Sequence, residues 1–432
     1  MGKSARRYAA EALMRIDNGG YSNIVTSNMF KNCDLDPADK MFAGAMVYGV
    51  IERLITLDKI ISAYSKVKKL SPEVKAILRC ALYQIMYMDS VPNSAAVNEA
   101  VKLTNEMKVK SAGGFVNAVL RNFLKKGVLE ELTRNESFKY SCSEDVIKII
   151  KESIGNDKAD MFLEASFGKP PIFIRVNGLK TSCEELKTLL LANNAEKVSE
   201  VAGVKNCIIY EGRDIIENSL FKKGFYYVQD LSSQLCVKAL ELTEGVRLLD
   251  VCAAPGGKSF TAAQEMNNKG EILSCDIHKN RLQLIEEGKN RLGIDIVKVT
   301  ENNGAQYNEG LGLFDRVLCD VPCSGTGVIR RKPEIKYKSE KEIAALYDIQ
   351  FQILKTSAKY LKAGGILVYS TCSVNKKENE DVVMRFLKDN DEFELVRFSV
   401  VDSEEENNGM RTILPEDYNS DGFFIAKLMR KK

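Results

Sequence analysis

Two short segments in the last third of the chain carry residue types suited to covalent chemistry: Asp320-Val321-Pro322-Cys323-Ser324-Gly325 and Ser370-Thr371-Cys372-Ser373. Each sets a cysteine just past an apolar run that reads as a strand, Phe314–Asp320 and Gly365–Thr371, so both thiols are expected at strand ends. A thiolate is a nucleophile, and a second thiol or a carboxylate beside it can move the protons that covalent catalysis requires. Asp320 is the carboxylate of this set, and Pro322 stiffens its loop. Either cysteine alone reads as well as ordinary buried core. What separates the pair from core is a third segment upstream, Leu249-Asp250-Val251-Cys252-Ala253-Ala254-Pro255-Gly256-Gly257-Lys258-Ser259. Its glycines permit a tight turn after a strand and a close backbone approach to a ligand.

Positioning these segments is the work of an alternating pattern that begins near Gly245. Strands are expected at Val246–Cys252, Glu271–Asp276, Ile296–Thr300, Phe314–Asp320 and Gly365–Thr371, with helices starting at Lys258 and Lys279. Strand and helix in alternation predict a doubly wound α/β sheet, which binds ligands at the carboxyl ends of its strands. The last apolar runs, Phe393–Val400 and Gly422–Met429, have no long helix between them. The spaced G-x-G-x-x-G of a dinucleotide dehydrogenase is missing. Asp276, ending the next strand 26 residues after Asp250, can accept from both hydroxyls of a ribose, or cap the helix that starts at Lys279. Lys258 can meet a carboxylate or simply open a helix.

Before the sheet, residues 141–242 mix α and β, with helices near Asp145–Ser153 and Cys183–Leu191 and a strand at Ile172-Phe173-Ile174-Arg175-Val176-Asn177. Residues 1–140 are helical throughout: Ala9, Ala12, Leu13 and Ile16 share one face, and Val47, Val50, Ile51 and Leu54 another. Ser71-Pro72-Glu73 is a helix start, Ala95 to Glu106 reads as a further helix, and Gly113–Phe123 carries core positions at Phe115, Val119 and Phe123. The expected organisation is therefore 1–140 all-α, 141–242 α+β, and 243–432 α/β.

The composition excludes several function classes. A chain of 432 residues with 45% hydrophobic content should form two or three domains, and no apolar run is long enough to span a bilayer. Met1-Gly2-Lys3-Ser4-Ala5-Arg6-Arg7 is basic but leads into an amphipathic helix rather than a signal sequence, so a cytoplasmic protein is expected. The eleven cysteines are scattered and odd in number, and Cys80, Cys236, Cys275 and Cys319 sit in apolar patterns, which predicts reduced, buried thiols. With no CxxC pair and His278 the only histidine, neither a zinc site nor a Ser-His-Asp hydrolase is expected, and His278 reads as a helix-start residue. The net charge of +3 is uneven: residues 1–140 hold 21 Lys and Arg against 14 Asp and Glu. A basic first part suggests a polyanion partner.

Together the three segments resemble the RNA (cytosine-5) methyltransferases. In its order of helical bundle, extension and catalytic domain the whole chain resembles the bacterial 16S rRNA enzymes of the Sun (RsmB) family, whose N-terminal domain is NusB-like and binds RNA. The resemblance implies a Rossmann-like domain that uses S-adenosylmethionine. It implies that the loop Cys252, Ala253, Ala254, Pro255, Gly256, Gly257 and Lys258, together with Asp276 and Asp320, binds this cofactor. Where the family usually places Asp before Gly to bind the adenine amine, this chain has Asn303, whose amide carbonyl can still accept. C5 of cytosine is a poor nucleophile, so a thiolate adds first to C6; the resemblance makes Cys372 that thiolate, Cys323 the residue that assists release, and Asp320 the ligand of the base's N3/N4 edge. DNA cytosine methyltransferases attack from the Pro-Cys position, so this division of roles rests on the resemblance.

The target base must leave its stack to reach a thiol. Arg330 and Arg331, with Lys332, follow the Pro-Cys loop and are expected to meet phosphates, or to form a solvated turn. Arg175, in a segment that faces RNA in the family, is expected as an RNA ligand or a strand-end salt bridge, and Arg121, with Asn117, as an RNA contact or a solvated helix face. Tyr227-Val228-Gln229-Asp230 is expected to open the cofactor domain. The implied function is methylation of C5 of one cytidine in 16S rRNA, naked or early in assembly, by a monomer without metal. A tRNA cytosine-5 methyltransferase and a non-catalytic NusB-type RNA-binding assembly factor are the alternatives.

Overall fold

The computed structural model describes residues 4–20, 22–31, 33–67, 69–401 and 404–431; the first three residues of the basic start lie outside them. The chain forms two compact units, Met1–Lys148 with Lys332–Ser339, and Ile149–Arg331 with Glu340–Lys432. Residues 149–242 share a unit with the α/β sheet, and eight residues from the last third belong to the first unit.

The first unit is helical, as its periodicity requires: Ala5–Asp17, Ser22–Lys31, Pro37–Glu52, Leu54–Ser65, Pro72–Tyr87, Asn93–Glu106 and Gly113–Lys126 are its longer helices. Side-chain caps set several starts. Ser4 accepts from the Arg7 N–H, Asp36 from Asp39, and Ser71 from Val74, with proline at the first turn in the latter two. Ala9, Leu13, Val47, Val50, Ile77, Leu82, Val119 and Leu120 form one buried core. Phe115, expected inside, is half-buried and packs on its edge. Arg79, almost wholly buried, donates to Asp17 at 2.6 Å and to Asp58 at 2.7 Å, so its charge is matched.

Residues 332–339 complete this unit. The Tyr337 hydroxyl donates to the Ile51 carbonyl and accepts from the Leu54 N–H at 3.2 Å, bridging the junction of two helices. Lys336 is fully buried, its carbonyl accepts the Ser143 N–H at 2.8 Å, and burial pulls its ammonium down to about 8.

The second unit holds two sheets. Ile172–Val176 (β1), Lys197–Glu200 (β2), Cys207–Glu211 (β3) and Tyr226–Val228 (β4) form an antiparallel sheet in the order β2-β3-β1-β4. The larger sheet contains Arg247–Asp250 (β5), Glu271–Asp276 (β6), Val297–Glu301 (β7), Phe314–Asp320 (β8), Leu361–Thr371 (β9), Phe393–Leu395 (β10), Met410–Ile413 (β11) and Phe423–Arg430 (β12). Its order is β10-β12-β9-β8-β5-β6-β7, with β11 also paired to β12. The five strands β5 to β9 run parallel, while β12 is antiparallel to β9. Because β5 has β6 on one side and β8 on the other, the strand order reverses there, which opens a crevice at their carboxyl ends. Both faces are covered, and the apolar strands are correspondingly buried. Two expected strands are recovered with their limits, Glu271–Asp276 and Phe314–Asp320. Phe393–Val400 shortens to Phe393–Leu395.

Among the described residues no helix is long and apolar enough to cross a membrane. All eleven cysteines are free, and Cys80, Cys236, Cys275 and Cys319 are buried.

Candidate active site

Every catalytic and cofactor-binding residue singled out from sequence lies at or just past the carboxyl end of β5, β6, β7, β8 or β9. Asp250 ends β5 and is buried, with one oxygen accepting from Ser259 Oγ at 2.6 Å; burial pushes its carboxyl up to about 7. The chain then turns through Cys252, Ala253, Ala254 and Pro255 into the helix Gly257–Glu265, with Lys258 in its first turn. Gly256 has φ of +106°, and a Cβ there would lie 2.5 Å from the Phe260 ring, so this turn needs glycine and leaves its backbone bare.

Asp276 ends β6 and is almost completely buried. Its carboxylate accepts the His278 N–H at 2.9 Å and pairs with Arg281 at 3.0 Å, and Arg281 also donates to the Ala254 carbonyl at 2.6 Å. Arg281 thus ties the β5 turn to β6, a role its helical position did not reveal. His278 is the N-cap residue of the helix Lys279–Leu292. Past β7, Asn303 Oδ1 accepts the Ala305 N–H at 3.1 Å, which holds the turn before Gly304.

Asp320 ends β8 with one oxygen 2.7 Å from Lys258 Nζ and the other 2.7 Å from Ser370 Oγ. Burial pulls the Lys258 ammonium down, but the Asp320 carboxylate outweighs this and holds it well above lysine's ordinary value. In the β8–β9 ladder Asp320 stands opposite Ser370. That register brings the two following loops together, and Cys323 Sγ lies 3.1 Å from Cys372 Sγ. Both cysteines are half-buried. The hydrogen bond with the Cys372 sulfur, followed by burial, pushes the Cys323 thiol far above the ordinary cysteine value.

The two loops are fastened below the sulfurs by a residue that sequence reasoning passed over. Glu378 is completely buried, and its carboxylate accepts from the Ser324 N–H at 2.7 Å, Gln350 Nε2 at 2.9 Å, Ser373 Oγ at 2.6 Å, Asn375 Nδ2 at 3.3 Å and Ser324 Oγ. The only signal in the sequence was its place in a polar run, Lys376-Lys377-Glu378-Asn379-Glu380, which reads as an ordinary helix start. Backbone contact adds to the fastening: Gly327 N–H donates to the Cys372 carbonyl at 3.0 Å, and Gly422 N–H to the Gly327 carbonyl at 2.9 Å.

The arginines expected to meet RNA fall into different settings. Arg175 is buried, donating to Glu265 and to the Lys205 carbonyl at 3.2 Å. Of the two readings open for Arg175, the salt bridge is the one the fold forms, and its guanidinium is left with little exposed surface. Arg331 is held by Asp421 at 2.6 Å and Asp230 at 2.9 Å, which raise its pKa against the opposing effect of burial. Its side chain is part-exposed, so the guanidinium is tied into a charge cluster without being enclosed by it. Arg330, half-exposed, donates to Asn419 Oδ1 and to the Lys169 carbonyl, both at 2.9 Å. Arg121 is exposed on its helix and donates to Asn117 at 3.0 Å. Tyr227 and Gln229 converge on Thr261, in the helix after the glycine turn, each at 2.8 Å.

Comparison with known proteins agrees with this organisation. Residues 237–429 match a family described as 16S rRNA methyltransferase RsmB/F, and residues 3–125 match the NusB family. The chain is 34% identical to the probable ribosomal RNA small subunit methyltransferase B of Bacillus subtilis, covering 99% of both proteins. It is 33% identical to the counterpart of that name from Synechocystis, again over 99% of each. Among solved structures, that of PH0851 shares 26% identity with a TM-score of 0.84 over 100% of both chains.

Proposed function

Because the chain belongs to the ribosomal RNA small subunit methyltransferase B family and is an rRNA methyltransferase, we propose that it methylates C5 of one cytidine in 16S rRNA through a covalent bond between Cys372 and C6. The observation that carries this reading is the 3.1 Å separation of Cys323 Sγ and Cys372 Sγ beside the Asp320 carboxylate. Two thiols that close readily share one proton. The family resemblance makes Cys372 the attacking sulfur, and Cys323, whose thiol is held far above its ordinary value by its bond to the Cys372 sulfur and by burial, the neighbouring proton donor.

Addition of the Cys372 thiolate to C6 breaks the aromatic conjugation of the base and leaves C5 electron-rich. Asp320 holds the N3/N4 edge: each of its oxygens has one protein partner, so acceptor capacity remains for the exocyclic amine, a contact that uracil does not offer. Once C5 carries the methyl group, loss of the C5 proton to a base and departure of the Cys372 thiolate from C6 return the aromatic ring, with Cys323 the neighbouring group for release.

The residues at the ends of β5 to β7 fit S-adenosylmethionine, which supplies a methyl group on a positively charged sulfur. The bare backbone at Gly256 and Gly257 admits the close approach of a ligand. The Asp276 carboxylate, with about four acceptor positions and three protein contacts, keeps room for a ribose hydroxyl. Asn303 Oδ1 keeps one lone pair for the adenine amine. Arg121 and Arg330 are the proposed phosphate contacts, and a basic helical unit suits an RNA partner.

The test is transfer of tritium from labelled cofactor to separate pools of naked 16S rRNA, 23S rRNA and tRNA, with 5-methylcytidine identified by nucleoside mass analysis. Label in 16S rRNA alone is expected, abolished in Cys372→Ala and accompanied by a trapped protein–RNA adduct in Cys323→Ala. Label in tRNA alone overturns the substrate, and a fully active Cys372→Ala overturns the covalent route.

A further inference from the structure

Glu378 poses a physical problem that the proposed chemistry does not by itself explain. A fully buried carboxylate is costly unless it is paired or richly hydrogen-bonded. Among the described residues no Lys, Arg or His nitrogen lies within 4.0 Å of it, yet five donors converge on its two oxygens. Those donors are not scattered. Ser324 directly follows Cys323, and Ser373 directly follows Cys372. Gln350 binds Glu378 Oε1 and also the carbonyl of Pro322, at 3.0 Å, on the other side of Cys323. The Tyr369 hydroxyl, from β9, donates to the Glu378 carbonyl at 2.6 Å. The adjoining Asn379 does the same for the second loop, accepting from Thr371 Oγ1 and donating to the Ser373 carbonyl at 2.9 Å, so both neighbours of Cys372 are held.

We propose that Glu378 is a positioning residue whose uncompensated carboxylate knots the two cysteine loops together and thereby sets the separation of the two sulfurs. This rests on the reading that Cys323 and Cys372 carry the chemistry. Glu378 reaches the sulfurs only through their chain neighbours. A carboxylate suits the task because it accepts on every side: it can gather backbone N–H, amide and hydroxyl donors from both loops without contributing a donor that must itself be satisfied.

The separation can be read without catalysis. In the full-length protein, a disulfide such as oxidised glutathione joins Cys323 to Cys372: the two thiols lose two protons and two electrons, an S–S bond forms, and the oxidant is reduced to two thiols. The rate of this joining, followed by mass spectrometry, reports how closely the loops hold the sulfurs. Glu378→Ala is expected to slow it at least tenfold and to lower kcat by about 10- to 100-fold, the scale of a misplacement near 1 Å, with KM for RNA unchanged. Glu378→Gln is expected to recover most of both, because its remaining oxygen can serve the Ser324 N–H and Gln350 while its amide faces hydroxyls that can turn to accept. A folded Glu378→Ala that joins its sulfurs at the wild-type rate overturns the proposal. If Glu378→Ala does not fold, Gln350→Ala decides: slower joining supports the knot, and an unchanged rate overturns it. Slower joining in Glu378→Ala together with an active Cys372→Ala would leave the positioning role standing while removing the covalent mechanism.

Discussion

Replacing Gly327 by alanine tests how tightly the two cysteine loops are packed. A Cβ at this position would stand 2.0 Å from the Gly422 carbonyl oxygen, 2.6 Å from its carbon and 2.8 Å from the Cys372 carbonyl oxygen. All three are backbone atoms, so no rotamer change relieves the clash, and the first contact falls more than 1 Å short of ordinary van der Waals separation. The loops must part. Overpacking of this kind costs about 1–3 kcal/mol. The Gly327–Cys372 and Gly422–Gly327 hydrogen bonds, at 3.0 and 2.9 Å, are stretched or lost with it, each worth about 1 kcal/mol. The expected destabilisation is therefore about 3–5 kcal/mol. Since the displaced carbonyl belongs to Cys372, kcat should fall roughly 100-fold even in the folded fraction. Urea unfolding monitored on the second unit gives the first quantity, and single-turnover methyl transfer at saturating RNA the second. A Gly327→Ala protein with a wild-type urea midpoint and kcat within about threefold would refute the claim that these loops have one workable separation.

Asp250 gives a pH prediction. Burial lifts its carboxyl to about 7, against about 3.9 in an unfolded chain, so between these values the folded protein holds a proton the unfolded chain has released. Its contribution to stability is complete below about pH 4 and is lost as pH rises through 7, at up to about 1.4 kcal/mol per unit. Asp250→Asn should therefore gain on wild type as urea titrations move from about pH 4.5 to 7.5, and a constant difference would disprove it. The Cys323 thiol, held up first by its bond to the Cys372 sulfur, should resist iodoacetamide near pH 8 and react faster in Cys372→Ala; equal labelling rates would contradict this. Arg121→Ala should weaken 16S rRNA binding and reduce the slope of log affinity against log salt by about one, with an unchanged slope removing Arg121 from the interface.

The sheet was legible because its signals are local: apolar runs of strand length alternate with helical periodicity, and Glu271–Asp276 and Phe314–Asp320 are recovered with their limits. The gathering of Asp250, Asp276, Asp320, Cys323 and Cys372 at one end of the sheet followed from strand ends alone. What escaped notice depends on contacts distant in sequence. A salt bridge is one of two readings open for Arg175, but its partner Glu265, like Asp230 and Asp421 beside Arg331, is supplied only by the fold. Glu378 has the composition of a solvated helix start, yet Ser324 and Gln350 reach it from elements 54 and 28 residues away. A buried carboxylate without a counter-ion has no local signature, since its donors are backbone and neutral side chains.

The eight residues that return to the first unit impose an order on synthesis. Helices up to Lys148 emerge early, but the space filled by Lys336 and the hydroxyl that bridges Ile51 and Leu54 arrive with a segment that begins at Lys332, about 180 residues later. At about 5–20 residues per second that is a wait of roughly 10–40 s. The early helices spend this interval with an unfilled seam, and the segment that closes it is translated directly after Cys323 and Arg331. A nascent chain thus finishes its helical unit only once the first of its two cysteine loops has been made, so a truncated product that stops short of Lys332 carries neither a completed bundle nor a complete catalytic sheet.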